Sequence, residues 1–216
     1  MRRLAKQLWI FVMLGLGISL PAQAGFTLYY MADPIEAKVI DAETKQPLEG
    51  VIVVAHWELV YGSPGGDSPA GQLMVMEAVT GKDGTFRFPG WGPKLAISSH
   101  LSDYRDPELV LFKSGYQSRT LTNELTGENK GARRRSDWNG KVIGINKFIG
   151  TRKEWFEMLE RTIPPFGEPK DAKKISTLLK AILAEEDSIP DSIDRKRLFF
   201  DNIVRRLLNS NFHNGK

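Results

Sequence analysis

The spacing of apolar residues divides the chain into two regions. Before residue 150, short β-branched and aromatic runs alternate with polar positions and are separated by Pro, Gly and Asp, a pattern typical of strands joined by tight turns. After Gly150 the apolar period changes from two to about 3.6, which indicates amphipathic helices. The pattern therefore predicts a β region followed by a helical region.

The strand signal is clearest between Pro34 and Pro89. The run at 51–61 places Val51, Val53, Ala55, Trp57 and Leu59 on one face, and we assign this face to the core. The predicted strands are 35–41, 51–61, 73–80, 85–88, 94–99, 109–113, 116–121 and 141–148, with 26–32 as an edge strand or a flexible arm. Two Gly-rich or polar segments, 61–72 and 122–140, are predicted as long loops. Seven or eight such antiparallel strands predict a β-sandwich.

The helical region contains three amphipathic segments. Thr151 and Glu154 form a capping-box signature for the first helix, which Pro164 and Pro165 end. The second and third helices are predicted at about 169–186 and 191–209. Each apolar stripe must be buried, either on the sandwich, on another helix or on another protein.

A leader precedes the β region. A basic start at 1–7, an apolar run at 8–20 and the small residues Ala22 and Ala24 are typical of a secretory signal peptide. The apolar run is shorter than the roughly 20 residues of a membrane-spanning helix. We therefore expect a signal peptide at 1–24, a sandwich domain at 25–149 and a helical segment at 150–216. The expected location is the periplasm, with membrane contact only through the signal peptide before cleavage.

The net charge and the cysteine content argue against several classes of partner and of chemistry. The chain has 30 Lys and Arg and 26 Asp and Glu, and three of the basic residues lie in the leader, so the mature balance is 27 − 26 = +1. Such a balance does not indicate nucleic acid or an anionic membrane as a partner. The absence of cysteine excludes disulfides, thiol catalysis and Cys-ligated metals.

The sequence offers little for catalysis. None of the three histidines, His56, His100 and His213, is followed by Glu three positions later, and no nucleophile elbow or phosphate-binding loop occurs. We therefore expect no enzyme activity, no catalytic residue, no metal and no cofactor. A metal-dependent hydrolase remains an alternative, and it requires His56 and His100 to converge with a carboxylate. The candidate carboxylates are Glu58, Asp103 and Asp106.

Three motifs in the β region carry a resemblance. They are D-A-E-T-K-Q-P-L-E-G-V at 41–51, T-G-K-D-G-T-F-R-F-P at 80–89 and F-K-S-G-Y at 112–116. In this order they resemble the carboxypeptidase regulatory-like domain, with its D-x-x-T-x-x-P-[LI]-x-G-[VA], T-x-x-D-G-x-F and K-x-G-Y elements. The resemblance covers 35–121 and implies a transthyretin-like sandwich of seven or eight strands. Because the motifs specify turns and packing, it implies a fold and not a function.

Two loops are the candidate binding segments. The first, at 99–107, is polar and aromatic and contains His100, Asp103, Tyr104 and Arg105. The second is basic and contains Arg133, Arg134, Arg135 and, beside them, Trp138.

The predicted role is a non-catalytic binding or assembly module. It would hold a protein or cell-envelope partner through these loops or through the helical tail. A carbohydrate- or peptide-binding module is the alternative, and it requires exposed aromatic side chains at Trp57, Trp91 and Tyr104.

Overall fold

The computed structural model describes residues 29–97, 99–101, 106–124, 131–163 and 169–187, and this part of the chain contains eleven strands and three helices. The strands are β1 (Tyr29–Ala32), β2 (Ile35–Asp41), β3 (Ile52–Tyr61), β4 (Ser68–Val79), β5 (Thr85–Phe88), β6 (Trp91–Leu95), β7 (His100–Leu101), β8 (Glu108–Phe112), β9 (Arg119–Leu121), β10 (Arg133–Arg134) and β11 (Val142–Ile145). The helices are α1 (Arg152–Thr162), α2 (Pro169–Ala172) and α3 (Ser176–Asp187), with a 3₁₀ turn at Lys173–Ile175 between the last two. None of the helices in these ranges is long and apolar enough to span a membrane.

One layer of the molecule is an antiparallel five-stranded sheet. Its strand order is β4-β3-β8-β9, and β7 also pairs with β3. Strand β3 pairs with β8 over Ile52–His56 and with β7 at Leu59 and Val60, so both short strands lie along the same side of β3. The ten residues of β3 are therefore the centre of this sheet.

The second layer consists of two three-stranded sheets, ordered β10-β1-β6 and β11-β2-β5. Strands β1 and β2 follow one another with only Asp33 and Pro34 between them, and β5 and β6 are separated only by Pro89 and Gly90. Proline has no N–H for the ladder, so it interrupts pairing at these points. These interruptions are one reason that the described strands outnumber the seven or eight predicted.

Two pairings in the second layer are parallel, whereas the sequence predicted an antiparallel sandwich. Strand β10 runs parallel to β1, and β11 runs parallel to β2. A parallel pair needs a long connection, and here the intervening chain includes the whole five-stranded sheet. The coarse prediction of a mostly β, sandwich-like fold with antiparallel sheets is confirmed.

The main core lies between the two layers. It contains Val51, Val53, Ala55 and Trp57, all buried, with Leu59 packed against them. The predicted core face of β3 is therefore correct. The Trp57 and Trp91 rings meet edge to face with centroids 5.2 Å apart, which joins β3 to β6 across the core.

The helices cover the other face of the five-stranded sheet. The buried residues of this second cluster are Ile52, Val54, Val75, Val110 and Phe112 from the strands, with Leu159, Ala172, Ile175, Leu178, Leu179, Ile182 and Leu183 from the helical region. The described helices thus pack on the sandwich, one of the arrangements that the sequence left open. As a result, β3 is buried on both faces from Ile52 to Trp57.

Both long helices have defined N-terminal caps. Thr151 and Glu154 form the predicted capping box on α1. At the start of α3, the Glu77 carboxylate on β4 accepts the backbone N–H groups of Thr177 and Leu178 at 3.0 and 2.8 Å. The predicted signal peptide and the predicted third helix at 191–209 lie outside the described residues.

The predicted loops contain more regular structure than expected. Tyr61 pairs with Ser68, so β3 and β4 form a long hairpin with only residues 62–67 between them. Pro69 and Gly71 lie inside β4, beside a register shift on an edge strand, where proline and glycine are tolerated. Likewise, β10 forms within 122–140, and the 26–32 lead-in supplies β1, the central strand of its sheet.

Candidate functional site

The basic segment at 133–135 is bound to the end of β1. Arg133 contacts one oxygen of Asp33 at 2.6 Å, and Arg135 contacts the other oxygen at 3.2 Å. Both guanidinium groups are exposed. One carboxylate thus holds two of the predicted binding residues at the surface.

Arg134 is buried, with 1% of its surface exposed, although the sequence placed it in an exposed basic loop. It is paired with Ala32 on β1, and the alternation of a strand turns it inward when Arg133 faces outward. Its guanidinium lies 5.4 Å from the centre of the Tyr30 ring and donates to the Leu101 carbonyl at 3.4 Å. In this conformation Arg134 is inaccessible to a partner in solution.

Trp138 and Asn123 connect residues 122–124 with residues 135–138. The half-buried Trp138 packs against the core, and its indole N–H donates to the Thr122 carbonyl at 3.0 Å. The Asn123 amide donates to the carbonyls of Asp106 and Arg135, and its oxygen accepts the N–H of Asp137. These bonds give Trp138 a structural role in this segment.

Only His100 of the four predicted residues at 100–105 is described. It pairs with Val60 on β3, and its Nε2 lies 3.9 Å from an Asp67 oxygen. Asp103, Tyr104 and Arg105 lie outside the described residues, so their predicted binding role stays a prediction.

His56 lies in a separate polar cluster. Its Nδ1 is 3.1 Å from the Gln72 side-chain oxygen, and its Nε2 is 3.1 Å from Glu108. His100 is opposite Val60, four residues from His56, which corresponds to about 13 Å along a strand. The structure therefore does not bring together the two histidines that a hydrolase would require. Within the described ranges, no group of three His, Asp or Glu residues could hold a metal ion.

Asp106 is a buried acid beside this cluster. One carboxylate oxygen accepts the Glu58 backbone N–H at 3.2 Å. Burial raises the pKa of Asp106 to about 7, although the Glu58 hydrogen bond and the charges of His56 and Arg134 act in the opposite direction.

The two tryptophans of the proposed carbohydrate or peptide site are buried. Trp57 has 1% and Trp91 has 8% of its surface exposed, because both rings fill the space between the layers. Ring stacking on a ligand requires an exposed face, so these residues do not form such a site. The expectation that Trp57 and Trp91 belong to a carbohydrate- or peptide-binding site was therefore wrong.

An exposed apolar surface on the second layer was missed by the sequence analysis. Tyr29 on β1 and Leu95 on β6 are directly opposite one another and are 54% and 48% exposed, and Ile97 is 69% exposed. Because the neighbouring Tyr30 points into the core, Tyr29 and its partner Leu95 face outward, and the exposed Ile97 follows Leu95 by two residues, just after β6 ends. We call these three residues the outer apolar patch. The alternation of apolar and other residues in 94–97 was a sequence signal for the patch. The sequence analysis did not predict which side chains of its strand partner, in 26–32, face outward.

A shallow cleft of about 270 Å³ lies where α1 begins. It is lined by Phe148, Gly150, Thr151, Arg152, Trp155, Phe156 and Glu185. The Phe148 and Trp155 rings pack edge to face with centroids 4.9 Å apart, so aromatic packing joins the segment before α1 to the helix at this cleft.

Comparisons with known proteins do not identify the chain. No protein-family model matches it, and no curated protein matches it. Among solved structures, it is 18% identical to the group B streptococcus pilus 2b backbone protein, covering 57% of this chain and 43% of that one with a TM-score of 0.28. It is 18% identical to a streptococcal ancillary pilin, covering 57% and 31% with a TM-score of 0.23.

A 9R-lipoxygenase from Cyanothece PCC8801 is 14% identical, with 85% of this chain and 25% of that one covered and a TM-score of 0.29. The chain thus spans less than half the length of each of these three proteins. TM-scores this low carry no argument about fold or function.

Proposed function

We propose that this chain is a non-catalytic binding module of the bacterial cell envelope that holds a protein partner through the outer apolar patch. The observation that carries the proposal is the pairing of Tyr29 with Leu95 on an outward face, with both side chains about half exposed and the exposed Ile97 two residues after Leu95. Contiguous exposed apolar groups on a soluble domain mark interaction surfaces, and tyrosine is enriched in them.

The patch is presented on a rigid support. The inward neighbours of its residues, Tyr30 and Ala96, belong to the main core, so the backbone of β1 and of the end of β6 is supported by the core. A preorganised surface loses less conformational entropy on binding than a loop does. This favours the sheet face over the predicted loops as the binding surface.

Charged groups lie next to the patch. Met31 is paired with Arg133, and the exposed Arg133 and Arg135 are bound to Asp33 at the end of β1. An apolar centre with a polar, charged rim is the usual anatomy of a protein–protein interface. The predicted basic residues Arg133 and Arg135 therefore belong to the rim of the proposed surface.

Export is part of the proposal and rests on the leader. The basic start, the apolar run at 8–20 and the small residues before Gly25 support cleavage and transfer across the inner membrane. Cell fractionation with N-terminal sequencing of the mature protein tests this part separately. A protein found in the cytoplasm with its leader intact would contradict it.

We also infer that the sandwich belongs with the carboxypeptidase regulatory-like domains. The inference is supported by the contact between the first and third motifs, since the Tyr116 hydroxyl donates to Asp41. The second motif also meets the first, because the Thr80 hydroxyl accepts the Val51 N–H at 2.8 Å and donates to the Leu48 carbonyl. The determined structure of the protein, aligned with members of that family, is the test.

The binding surface is tested with substitutions in the patch. The full chain and a Tyr29→Ser, Leu95→Ser double variant are used to recover partners from envelope extract by cross-linking. Val142→Ser is the matched control, because Val142 is 61% exposed on β11 of the same layer. We expect one partner to be retained by the wild type and the control and lost by the double variant.

Equal recovery by all three proteins would contradict the patch as the binding surface. Removing the residues after Gly150 is a poorer test, because the helices cover Ile52, Val54 and Phe112 on the five-stranded sheet. A shortened chain would expose that apolar face and bind proteins nonspecifically.

A further inference from the structure

Strand β4 forms an open edge of the five-stranded sheet. It is twelve residues long, and within the described part of the chain it pairs with β3 alone. The pairing with β3 is regular from Met74 to Val79, so this half of β4 has no bulge. A regular edge presents a row of backbone N–H and C=O groups that can pair with a further strand.

The Met74–Val79 half of this edge lacks the usual protection against strand addition. The segment Met74–Val79 contains one charged residue, Glu77, and no lysine or proline. By contrast, β9 at the opposite edge is only three residues long and contains Arg119. In the other layer, β5 and β6 contain Arg87, Pro93 and Lys94. Charges, proline and short length are the features that block edge pairing.

The single charged side chain on this edge, Glu77, is already hydrogen-bonded within the chain. Both oxygens of Glu77 accept backbone N–H groups at the start of α3, from Thr177 and Leu178. The carboxylate is therefore held in the helix layer and is not directed along the sheet. A second strand with the same residues would meet an edge without a repelling charge.

We propose that β4 pairs antiparallel with β4 of a second copy of this chain, about a two-fold axis near Met76. The two five-stranded sheets then become one continuous sheet across the dimer. In this register, Val75 faces Glu77 of the partner subunit, so no like charges are opposite one another. A two-fold antiparallel pair is a self-complementary, closed interface. This inference concerns a different surface from the outer apolar patch and goes beyond the proposed function.

Sedimentation equilibrium of the purified full chain tests the proposal. The wild type is expected to form a dimer at micromolar concentration. Met76→Lys places two lysines opposite one another at the axis and should raise the dissociation constant about tenfold or more. Thr120→Lys adds the same charge to an exposed position on β9 and should leave the dimer unchanged.

Val79→Lys is a second variant that the fold tolerates more easily, because Val79 is 49% exposed at the end of β4. It should also weaken the dimer, since lysine guards a sheet edge. A wild-type chain that stays monomeric over the concentration range would overturn the proposal. A dimer that both β4 lysine variants leave intact would also overturn it, because the interface would lie elsewhere.

Discussion

The Tyr116 hydroxyl donates a hydrogen bond to the Asp41 carboxylate at 3.0 Å, joining two turns that are 75 residues apart in sequence. The other Asp41 oxygen accepts the N–H groups of Glu43 and Thr44, each at 2.9 Å. The Thr44 hydrogen bond is the main cause of a lowered pKa at Asp41, while burial, followed by the Asp41 contact, raises the pKa of Tyr116. The Tyr116–Asp41 hydrogen bond therefore holds the turn at 41–44 against the turn at 113–116.

Removing the Tyr116 hydroxyl should destabilise the fold moderately. Tyr116→Phe keeps the ring and deletes the hydrogen bond, so the free energy of unfolding should fall by about 0.5–1.5 kcal/mol. Urea denaturation measures this change. Tyr61→Phe is the control, because Tyr61 is 51% exposed, and its stability should match the wild type. Equal stability of the two variants would show that the Asp41 contact adds nothing.

The Glu77 carboxylate should stabilise the docking of α3. Because it caps two backbone N–H groups of that helix, Glu77→Ala should lower the free energy of unfolding by about 1–2 kcal/mol. Glu77→Gln keeps one acceptor oxygen and should cost less. Glu160→Ala, on the exposed side of α1, is the control and should be close to neutral. Far-UV circular dichroism with urea denaturation measures all three.

The three consecutive arginines should differ strongly in their effects. Arg134→Ala removes a buried guanidinium from the Tyr30 ring and leaves a cavity, so we expect a loss of about 2–4 kcal/mol in unfolding free energy. Arg133→Ala removes an exposed ion pair with Asp33 and should cost about 1 kcal/mol or less. Thermal and urea denaturation compare the two variants. Similar losses would contradict the assignment of Arg134 as the structural member of the segment.

Asp106 should make stability depend on pH near neutrality. Burial raises its pKa from 3.8 to about 7, so between these values the folded chain holds a proton that the unfolded chain has lost. The contribution of this group to stability therefore falls as pH rises from about 4 through 7 and is constant above that. His56, Glu58 and Arg134 are the charged or titratable groups that act on it.

Asp106→Asn removes this titration while keeping an oxygen for the Glu58 N–H. Relative to the wild type, the variant should gain about 1–3 kcal/mol in unfolding free energy between pH 5 and pH 8. Urea denaturation at both pH values measures the difference. Glu160→Gln serves as the reference and should show no change relative to the wild type. A difference for Asp106→Asn that does not vary with pH would rule out the raised pKa.

Local patterns in the sequence predicted the local structure well. Alternation in β3 identified its core face, and the Thr151 and Glu154 spacing identified the cap of α1. The Asp83-Gly84 dipeptide also predicted a turn, and the structure has one there: Gly84 has a φ of +77°, and an added Cβ would clash with the Val39 carbonyl oxygen. Each of these features depends on residues close together in the chain.

Features that depend on distant parts of the chain were not predicted. The burial of Arg134 follows from the pairing of β10 with β1, about a hundred residues earlier, and a polar loop composition gives no sign of it. The parallel pairings have the same cause. Likewise, Tyr29 and Leu95 form a surface only because β1 and β6 meet. The candidate surface therefore became visible only with the strand order.

Because β3 is buried on both faces, hydrogen exchange in this strand should report the stability of the whole fold. Amide protons between Ile52 and Trp57 are shielded by the second layer on one side and by the helices on the other. Their exchange with deuterium should require global unfolding, so their exchange rate in native buffer reports the total stability of the fold. Any ligand or subunit that binds the folded chain would then slow exchange in this strand, even without touching it.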